Sequence, residues 1–155
     1  MTPSIFERIE SWLRERQIDF DVLRHEPVYT SAEAAEVRGA PLASGAKALV
    51  CKADGQFMMF VLPADRKLAS KQVRSARKWK SLRFANREEL VELTGLEPGS
   101  VPPFGSLFDL PTLCDRRLGE QQRINFNAGD HTISLSMTFK DYVTAEQPEL
   151  GLFAD

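Results

Sequence analysis

One β-hairpin, predicted over residues 47–62, constrains the fold more than any other feature of the sequence. Two apolar runs, KALVCKA and QFMMFVL, flank the dipeptide Asp54-Gly55. Asp-Gly between such runs is typical of a two-residue hairpin turn. We therefore predict antiparallel strands over 47–53 and 56–62. Both strands are apolar on both faces, so we expect them at the centre of a sheet covered on each side.

The other segments predict helices around this hairpin and a second hairpin after it. Apolar spacing predicts a first helix over about 3–16, starting at Thr2-Pro3. Three more helices are indicated by capping pairs: Thr30 with Glu33, Asn86 with Glu89, and Thr138 with Asp141. Strands are predicted near residues 20–22 and over 81–85, and the runs RINFN and HTISLSM predict a hairpin around 128–130. We expect a single α/β (α+β-like) domain over 1–155, with a mixed, mostly antiparallel sheet and flanking helices.

Charge is strongly segregated along the chain. The segment 66–87 holds nine Lys or Arg and no acid, whereas the other 133 residues hold 11 Lys or Arg against 22 Asp or Glu. Four of these cations, Lys67, Lys71, Arg74 and Lys78, follow helical spacing along one face. Such a face can bind a polyanion by neutralising phosphates, and Trp79 and Phe84 can stack on unpaired bases. The alternative is a solvated helix face with aromatics that belong to the core.

Several classes of protein are disfavoured by the sequence. It has no apolar run of the ~20 residues that cross a bilayer, and no secretory leader, P-loop or dinucleotide fingerprint. His25, His131 and the two cysteines form no close ligand pair, so we expect no metal site. Cys51 lies within an apolar strand, which favours an inert core thiol over a nucleophile. Two distant cysteines fit a reducing, cytoplasmic compartment.

Lys47 and the loop 95–106 are candidate functional features, and each has two interpretations. Lys47 opens the first hairpin strand, opposite Leu62 in the predicted register. There it can hold a phosphate or polarise a carbonyl, or it can simply extend to water at a strand end. The loop, GLEPGSVPPFGS, can present backbone N–H groups as an anion nest or oxyanion hole, or it can only connect helix and sheet. His131 is either a base or substrate contact, or an ordinary surface histidine.

Four stretches together resemble the YbaK/ProX family of aminoacyl-tRNA deacylases, which includes the editing insertion domain of bacterial prolyl-tRNA synthetases. They are HEPVYTSAEAAEVRG (25–39), ASGAKALV (43–50), GLEPGSVPPFG (95–105) and FNAGDHTISLSMTFKDYV (126–143). The lysine strand combined with the glycine-proline loop is the specific part of the match. The residue after the lysine is often polar in relatives, but it is Ala48 here.

The resemblance implies a function and a set of site residues. It makes Lys47 the catalytic candidate, with Gly99, Ser100, His131 and Thr30 as substrate-binding candidates and the basic face as the tRNA-binding surface. It implies a free-standing trans-editing hydrolase that cleaves the ester of mischarged aminoacyl-tRNA carrying Ala, Ser, Thr or Cys, with tRNA-Pro as one candidate carrier. Such a hydrolase is expected to need no metal or organic cofactor. A synthetase is a candidate partner, and we expect neither a membrane nor DNA as a partner.

Two other functions remain open from the sequence. One is a non-catalytic tRNA-binding or synthetase-associated module on the same fold, which would keep the basic face and lose the hydrolytic pocket. The other is a lysine-dependent Schiff-base enzyme, which needs a desolvated lysine and a carbonyl substrate.

Overall fold

Short helices and strands alternate along the chain in the computed structural model, which describes residues 2–155. The helices in this part of the chain are α1 (Ile5–Glu15), α2 (Ser31–Arg38), α3 (Ser70–Arg77), α4 (Arg87–Thr94) and α5 (Phe139–Glu146). The strands are β1 (Asp21–Arg24), β2 (Ala46–Ala53), β3 (Gln56–Pro63), β4 (Leu82–Phe84), β5 (Thr112–Asp115), β6 (Arg123–Asn127), β7 (Ile133–Thr138) and β8 (Glu149–Gly151). None of the helices in residues 2–155 is long and apolar enough to cross a membrane.

The strands are divided between two sheets. The larger has the order β4-β2-β3-β5-β8 and the smaller the order β1-β7-β6. The pairs β3–β5 and β5–β8 are parallel, and the other pairs are antiparallel. The expected mixed, mostly antiparallel α/β architecture is confirmed. The two sheets touch through an isolated parallel bridge between Gly45 and Asn125.

The predicted hairpin forms the centre of the larger sheet, in the predicted register. Asp54 and Gly55 both have positive φ (46° and 87°), as a tight two-residue turn requires. Lys47 pairs with Leu62 as expected. Met59 and Val61 pack into one buried cluster, whereas Phe60 and Leu62 pack into another. The prediction of a central strand pair covered on both faces is confirmed, and each fully buried Leu or Phe contributes about 1.5–3 kcal/mol.

Capping signals located the later helices well and the first one less well. Thr30 and Asn86 each form the predicted reciprocal capping box, and Gly39 and Gly95 end the same two helices. The first helix begins at Ile5 because Ser4, not Thr2, is its N-cap. The Ser4 hydroxyl accepts from the Glu7 N–H while the Glu7 carboxylate accepts from the Ser4 N–H, and this pair fixes the start.

The basic segment is less helical than predicted. Helix α3 covers only Ser70–Arg77, so Lys67 lies before it and Lys78 is its C-cap in the left-handed conformation. The prediction that Lys67, Lys71, Arg74 and Lys78 share one helical face is therefore wrong in part. Lys71 and Arg74 are exposed on the helix, and the other two are exposed at its ends.

The second hairpin has a longer turn than predicted, and His131 lies in that turn instead of opening a strand. The Asp130 carboxylate accepts hydrogen bonds from the N–H and hydroxyl of Thr132, at 2.7 and 2.6 Å. These bonds hold 130–132 in a turn conformation, so β7 begins only at Ile133.

Strands β5 and β8 were not predicted, because each is very short and pairs with residues distant in sequence. Asp115, at the end of β5, is fully buried. One of its carboxylate oxygens accepts from the N–H groups of Phe153 and Ala154, both at 2.8 Å. A buried carboxylate thus fixes the C-terminal segment in the sheet, and no local pattern in that segment indicates a strand.

Candidate active site

A cavity of about 230 Å³ opens beside β2, where this strand and β6 diverge after the bridge between Gly45 and Asn125. Residues 46–49 of β2 lie on one side of it, Phe126 and Asn127 on another, and α2 with the residue before it closes the third. The lining residues are Tyr29, Thr30, Ser31, Ala34, Ala35, Arg38, Ala40, Pro41, Leu42, Ser44, Gly45, Ala46, Lys47, Ala48, Leu49, Ala64, Gly99, Val101, Phe126 and Asn127. Lys47, Gly99 and Thr30, separate in sequence, are thus brought to one cavity.

Lys47 is a half-buried cation without a direct partner. Its ammonium makes no hydrogen bond or ion pair with any group in residues 2–155. Burial lowers the pKa of Lys47, and the nearby charge of Lys67 lowers it further, while Asp65 and Asp155 act in the opposite sense. A cation that is partly desolvated and unpaired interacts strongly with a polar ligand placed beside it. The ammonium is therefore free to contact a substrate.

The backbone of Ala48 also faces the cavity. Ala48 and Val61 form a pair in the antiparallel register. Counted from the two-residue turn, this is a non-hydrogen-bonded pair, so the N–H and C=O groups of Ala48 point away from β3. Val50, two residues further along β2, is oriented in the same way: its carbonyl accepts from the Ala85 N–H on the side of β2 opposite β3. Strand β4 covers β2 only from Cys51 to Ala53, so the Ala48 peptide borders the cavity at an uncovered sheet edge.

The glycine-proline loop reaches the cavity through Gly99. This residue has φ +86°, and a Cβ at its position would lie 3.4 Å from His131 Cε1. Its carbonyl accepts from Asn127 Nδ2 at 2.7 Å, whereas its N–H donates to no acceptor in residues 2–155. The N–H is therefore available as an oxyanion donor.

Ser100 is placed differently from its expected role. Its side chain is buried, and its hydroxyl and N–H donate to the Glu97 carbonyl at 2.8 and 3.2 Å. Its carbonyl accepts from the Gly129 N–H at 2.9 Å. Both donors are thus committed within the loop, and Ser100 does not line the cavity. These contacts suit a residue that fixes the loop rather than one that touches substrate.

Thr30 lines the cavity, and His131 lies behind the loop. The Thr30 hydroxyl accepts from the Glu33 N–H as the N-cap of α2. The His131 ring stands 4.7 Å from the Tyr29 ring, centre to centre, and its Nδ1 is 3.0 Å from the Val28 carbonyl. His131 is not among the lining residues, although its ring lies against Tyr29, which is, and 3.4 Å from where a Gly99 Cβ would stand.

Arg38 is a cavity residue that no motif in the sequence marked as a site residue. Its Nε donates to Ser134 Oγ at 2.9 Å and its Nη2 donates to Asn127 Oδ1 at 3.0 Å. Burial lowers the pKa of Arg38 to about 10. The residue lies inside the stretch 25–39 that resembles the family. In the sequence, however, it is an arginine in the last turn of a helix, where cations are common because they interact favourably with the helix dipole. Only the fold turns it toward the cavity.

The cysteines and the acids do not form a second chemical centre. Cys51 and Cys114 are buried free thiols, and burial raises the pKa of each to about 12. Both are therefore protonated at neutral pH, which fits the inert interpretation. Residues 2–155 contain no group of three His, Cys, Asp or Glu placed to hold a metal ion.

Part of the basic segment is already neutralised within the protein. Three of its arginines pair with carboxylates: Arg77 with Glu149, Arg83 with Glu89, and Arg87 with Glu97. Lys67, Lys71, Arg74 and Lys78 form no ion pair within residues 2–155. Trp79 packs against the second core cluster, so it is a core aromatic in part, whereas Phe84 is 56% exposed.

Comparison with known proteins decides the family. The sequence model of the aminoacyl-tRNA editing domain matches residues 25–145. The chain belongs to the aminoacyl-tRNA editing domain family. It is 36% identical over 152 residues to the multifunctional Ser/Thr-tRNA deacylase ProXp-y of Escherichia coli K12, covering 95% of this chain and 91% of that protein. The expectation of an aminoacyl-tRNA deacylase, a hydrolase acting in aminoacyl-tRNA editing, is confirmed.

Other relatives show where the same domain occurs. The proline–tRNA ligase of Acidithiobacillus ferrooxidans is 32% identical over 114 residues, which is 73% of this chain and 20% of the ligase. A crystal structure of the hypothetical protein APE2540 superimposes with a TM-score of 0.87 at 25% identity, covering 96% of this chain and all of that one. The crystal structure of a candidate trans-editing enzyme for prolyl tRNA synthetase superimposes with a TM-score of 0.86 at 23% identity, covering 100% of this chain and 99% of that one. This likeness shows that the two chains share a fold.

Proposed function

We propose that this protein is a free-standing trans-editing deacylase that removes a small amino acid, serine or threonine first among the candidates, from mischarged tRNA. The observation that carries the proposal is the cavity in which unpaired Lys47, the Ala48 edge and Gly99 meet. Supporting it, the chain aligns with nearly the whole of a Ser/Thr-tRNA deacylase but with only a fifth of a proline–tRNA ligase. We take residues 1–155 as one editing domain.

The size of the cavity favours a small aminoacyl group. Its volume of about 230 Å³ is below the ~300–1,000 Å³ of pockets that hold drug-sized ligands. Six alanines form much of its wall: Ala34, Ala35, Ala40, Ala46, Ala48 and Ala64. Thr30 and Ser31, two small residues with hydroxyl groups, also line the cavity, and a lining of this kind suits a small hydroxylated side chain. Alanine and cysteine remain the other candidate amino acids.

In the proposed mechanism, the protein positions the ester and stabilises the charge that develops on it. Lys47 contacts the ester region, and the N–H groups of Gly99 and Ala48 donate to the carbonyl oxygen as it becomes an oxyanion. A water attacks the carbonyl carbon, the bond from that carbon to the ribose oxygen breaks, and the proton lost by the water passes to the ribose oxygen, so that free amino acid and tRNA are released. An aminoacyl ester is already activated, so positioning and polarisation suffice without a serine nucleophile. Thr30 contacts the aminoacyl group, and His131 supports Gly99 from behind.

The exposed cations of the basic segment are the proposed binding surface for the tRNA acceptor end. Lys67 lies close enough to Lys47 for its charge to affect the Lys47 pKa. Lys71 and Arg74 are exposed on α3, and Lys67 and Lys78 are exposed at its two ends. The remaining chain is acidic overall, which confines a polyanion to this face. We propose a cytoplasmic protein, for which an aminoacyl-tRNA synthetase is a candidate partner.

The test is deacylation of a panel of mischarged tRNAs carrying Ser, Thr, Ala or Cys, on carriers that include tRNA-Pro. We expect rapid release of Ser or Thr, together with slow release of the cognate amino acid. The matched control is the Lys52→Met variant, which removes a lysine from the same strand outside the cavity. Tight tRNA binding without hydrolysis of any ester would contradict the proposal and favour a non-catalytic tRNA-binding module.

A further inference from the structure

The cavity contains two cations and no acid. Arg38 and Lys47 both line it, whereas no Asp or Glu is among its lining residues. Neither cation forms a salt bridge within residues 2–155, and Asp65 and Asp155, whose charges act on the pKa of Lys47, do not line the cavity. A partly buried charge without a counter-charge loses hydration and gains little in return. This wall is therefore complementary to a ligand that brings a negative charge of its own.

The Arg38 guanidinium is held by two hydrogen bonds and still has N–H groups that donate to no acceptor within residues 2–155. Its Nε and Nη2 donate to Ser134 Oγ and Asn127 Oδ1, both neutral acceptors. Ser134 Oγ is also 2.8 Å from His25 Nε2, so the serine is fixed from a second side. The Arg38 Nη1 makes no hydrogen bond within residues 2–155 and lies 3.7 Å from where a Gly45 Cβ would stand. Of the five N–H donors of a guanidinium, only two are thus used.

We propose that Arg38 binds the phosphodiester on the 5′ side of the terminal adenosine, through its unused Nη donors, while Lys47 contacts the ester. This assignment rests on the proposed deacylase function and adds a residue to it. The ester of the bound substrate is neutral before attack, so that phosphodiester is the permanent negative charge nearest to the reacting carbon. A planar guanidinium with three free N–H groups, two of them on Nη1, matches a phosphate better than a point charge does.

The same contacts couple phosphate binding to the glycine-proline loop. Arg38 holds Asn127, and Asn127 Nδ2 donates to the Gly99 carbonyl at 2.7 Å. A phosphodiester on Arg38 and an ester beside Gly99 are therefore positioned by one connected set of hydrogen bonds. Loss of Arg38 removes the phosphate contact, whereas loss of Asn127 releases the loop and leaves the cation in place.

The first test uses the unmodified protein and two small substrates. One is the dinucleotide CpA carrying a 3′-seryl ester, and the other is the same compound with a neutral methylphosphonate in place of the phosphodiester. We expect kcat/KM to be about 10- to 100-fold lower for the neutral linkage. This factor corresponds to the free energy of one hydrogen bond to a charged group. Equal rates on the two compounds would overturn the assignment.

Variants then locate the contact on Arg38. Arg38→Gln should lose most of the preference for the charged linkage, and Arg38→Lys should retain part of it. Asn127→Ala should slow hydrolysis of both compounds by a similar factor and keep the preference. A preference that persists in folded Arg38→Gln would contradict the proposal. Binding of unacylated CpA against its methylphosphonate form, measured by NMR titration, gives a second readout that does not depend on hydrolysis and so separates this proposal from the deacylase function.

Discussion

Substitution of Gly99 by alanine should impair activity more than stability, and Gly55→Ala is its matched control. The two glycines have nearly equal φ, +86° and +87°. An added Cβ therefore strains the backbone equally at both sites, by about 1–2 kcal/mol. At Gly55, in the hairpin turn, no atom of residues 2–155 lies within 4 Å of the new Cβ, whereas at Gly99 it would lie 3.4 Å from His131 Cε1. Each variant should thus melt at a temperature lower by about 2–4 °C per kcal/mol lost.

The activities should separate where the stabilities do not. Since a 1 Å misplacement in an active site can cost about 100-fold, we expect Gly99→Ala to lose about 10-fold or more in kcat/KM. Gly55→Ala, at the opposite end of the hairpin from Lys47, should stay near the wild-type value. Deacylation of seryl-tRNA at a temperature well below both melting points, with thermal melts of the same samples, makes the comparison. Similar kcat/KM for the two variants would refute the role given to Gly99.

Three further predictions concern stability and tRNA binding. Burial raises the pKa of Glu146, so its contribution favours folding below pH 4.5 and is lost as pH rises through the folded-state pKa. As pH rises from 4.5 through the folded-state pKa, the unfolding free energy of the wild type should therefore fall relative to that of Glu146→Gln. Urea titrations of both proteins at several pH values measure this difference. Tyr142→Phe removes the hydroxyl that donates to the Pro103 carbonyl at 2.6 Å in the core and should cost about 1–3 kcal/mol in the same assay. Charge reversal of Lys71 and Arg74 should weaken tRNA binding and reduce its dependence on salt, with an unchanged melting temperature; full affinity at all salt concentrations would exclude this face.

Local signals in the sequence predicted most of the elements that surround the site. The Asp54-Gly55 turn fixes the hairpin register, and that register places Lys47 at the start of a central strand. Capping pairs place α2 and α4, because each helix start depends on residues three apart. These features are local, so they are readable without knowledge of the fold.

Features that depend on contacts between distant segments could not be predicted. Arg38 meets Asn127 and Ser134 only because β6 and β7 pack beside α2, and the cavity exists because β6 diverges from β2. The inward hydrogen bonds of Ser100 likewise follow from the path of a loop with no regular period. The resemblance to a known family identified Lys47 and Gly99 as candidates, but it gave no reason to add Arg38.

The central claim, that Lys47 acts directly on the ester in this cavity, is tested most directly by Lys47→Met. Methionine keeps most of the apolar stem and removes the charge, and Lys52→Met repeats the change on the same strand outside the cavity. The measurement is kcat/KM for release of serine from mischarged tRNA, with tRNA affinity measured in parallel. We expect kcat/KM to fall about 100-fold or more for Lys47→Met, as it does when one oxyanion-hole donor is removed. Lys52→Met should keep a near wild-type kcat/KM, and both variants should bind tRNA with near-normal affinity. Undiminished hydrolysis by a folded Lys47→Met variant would contradict the claim.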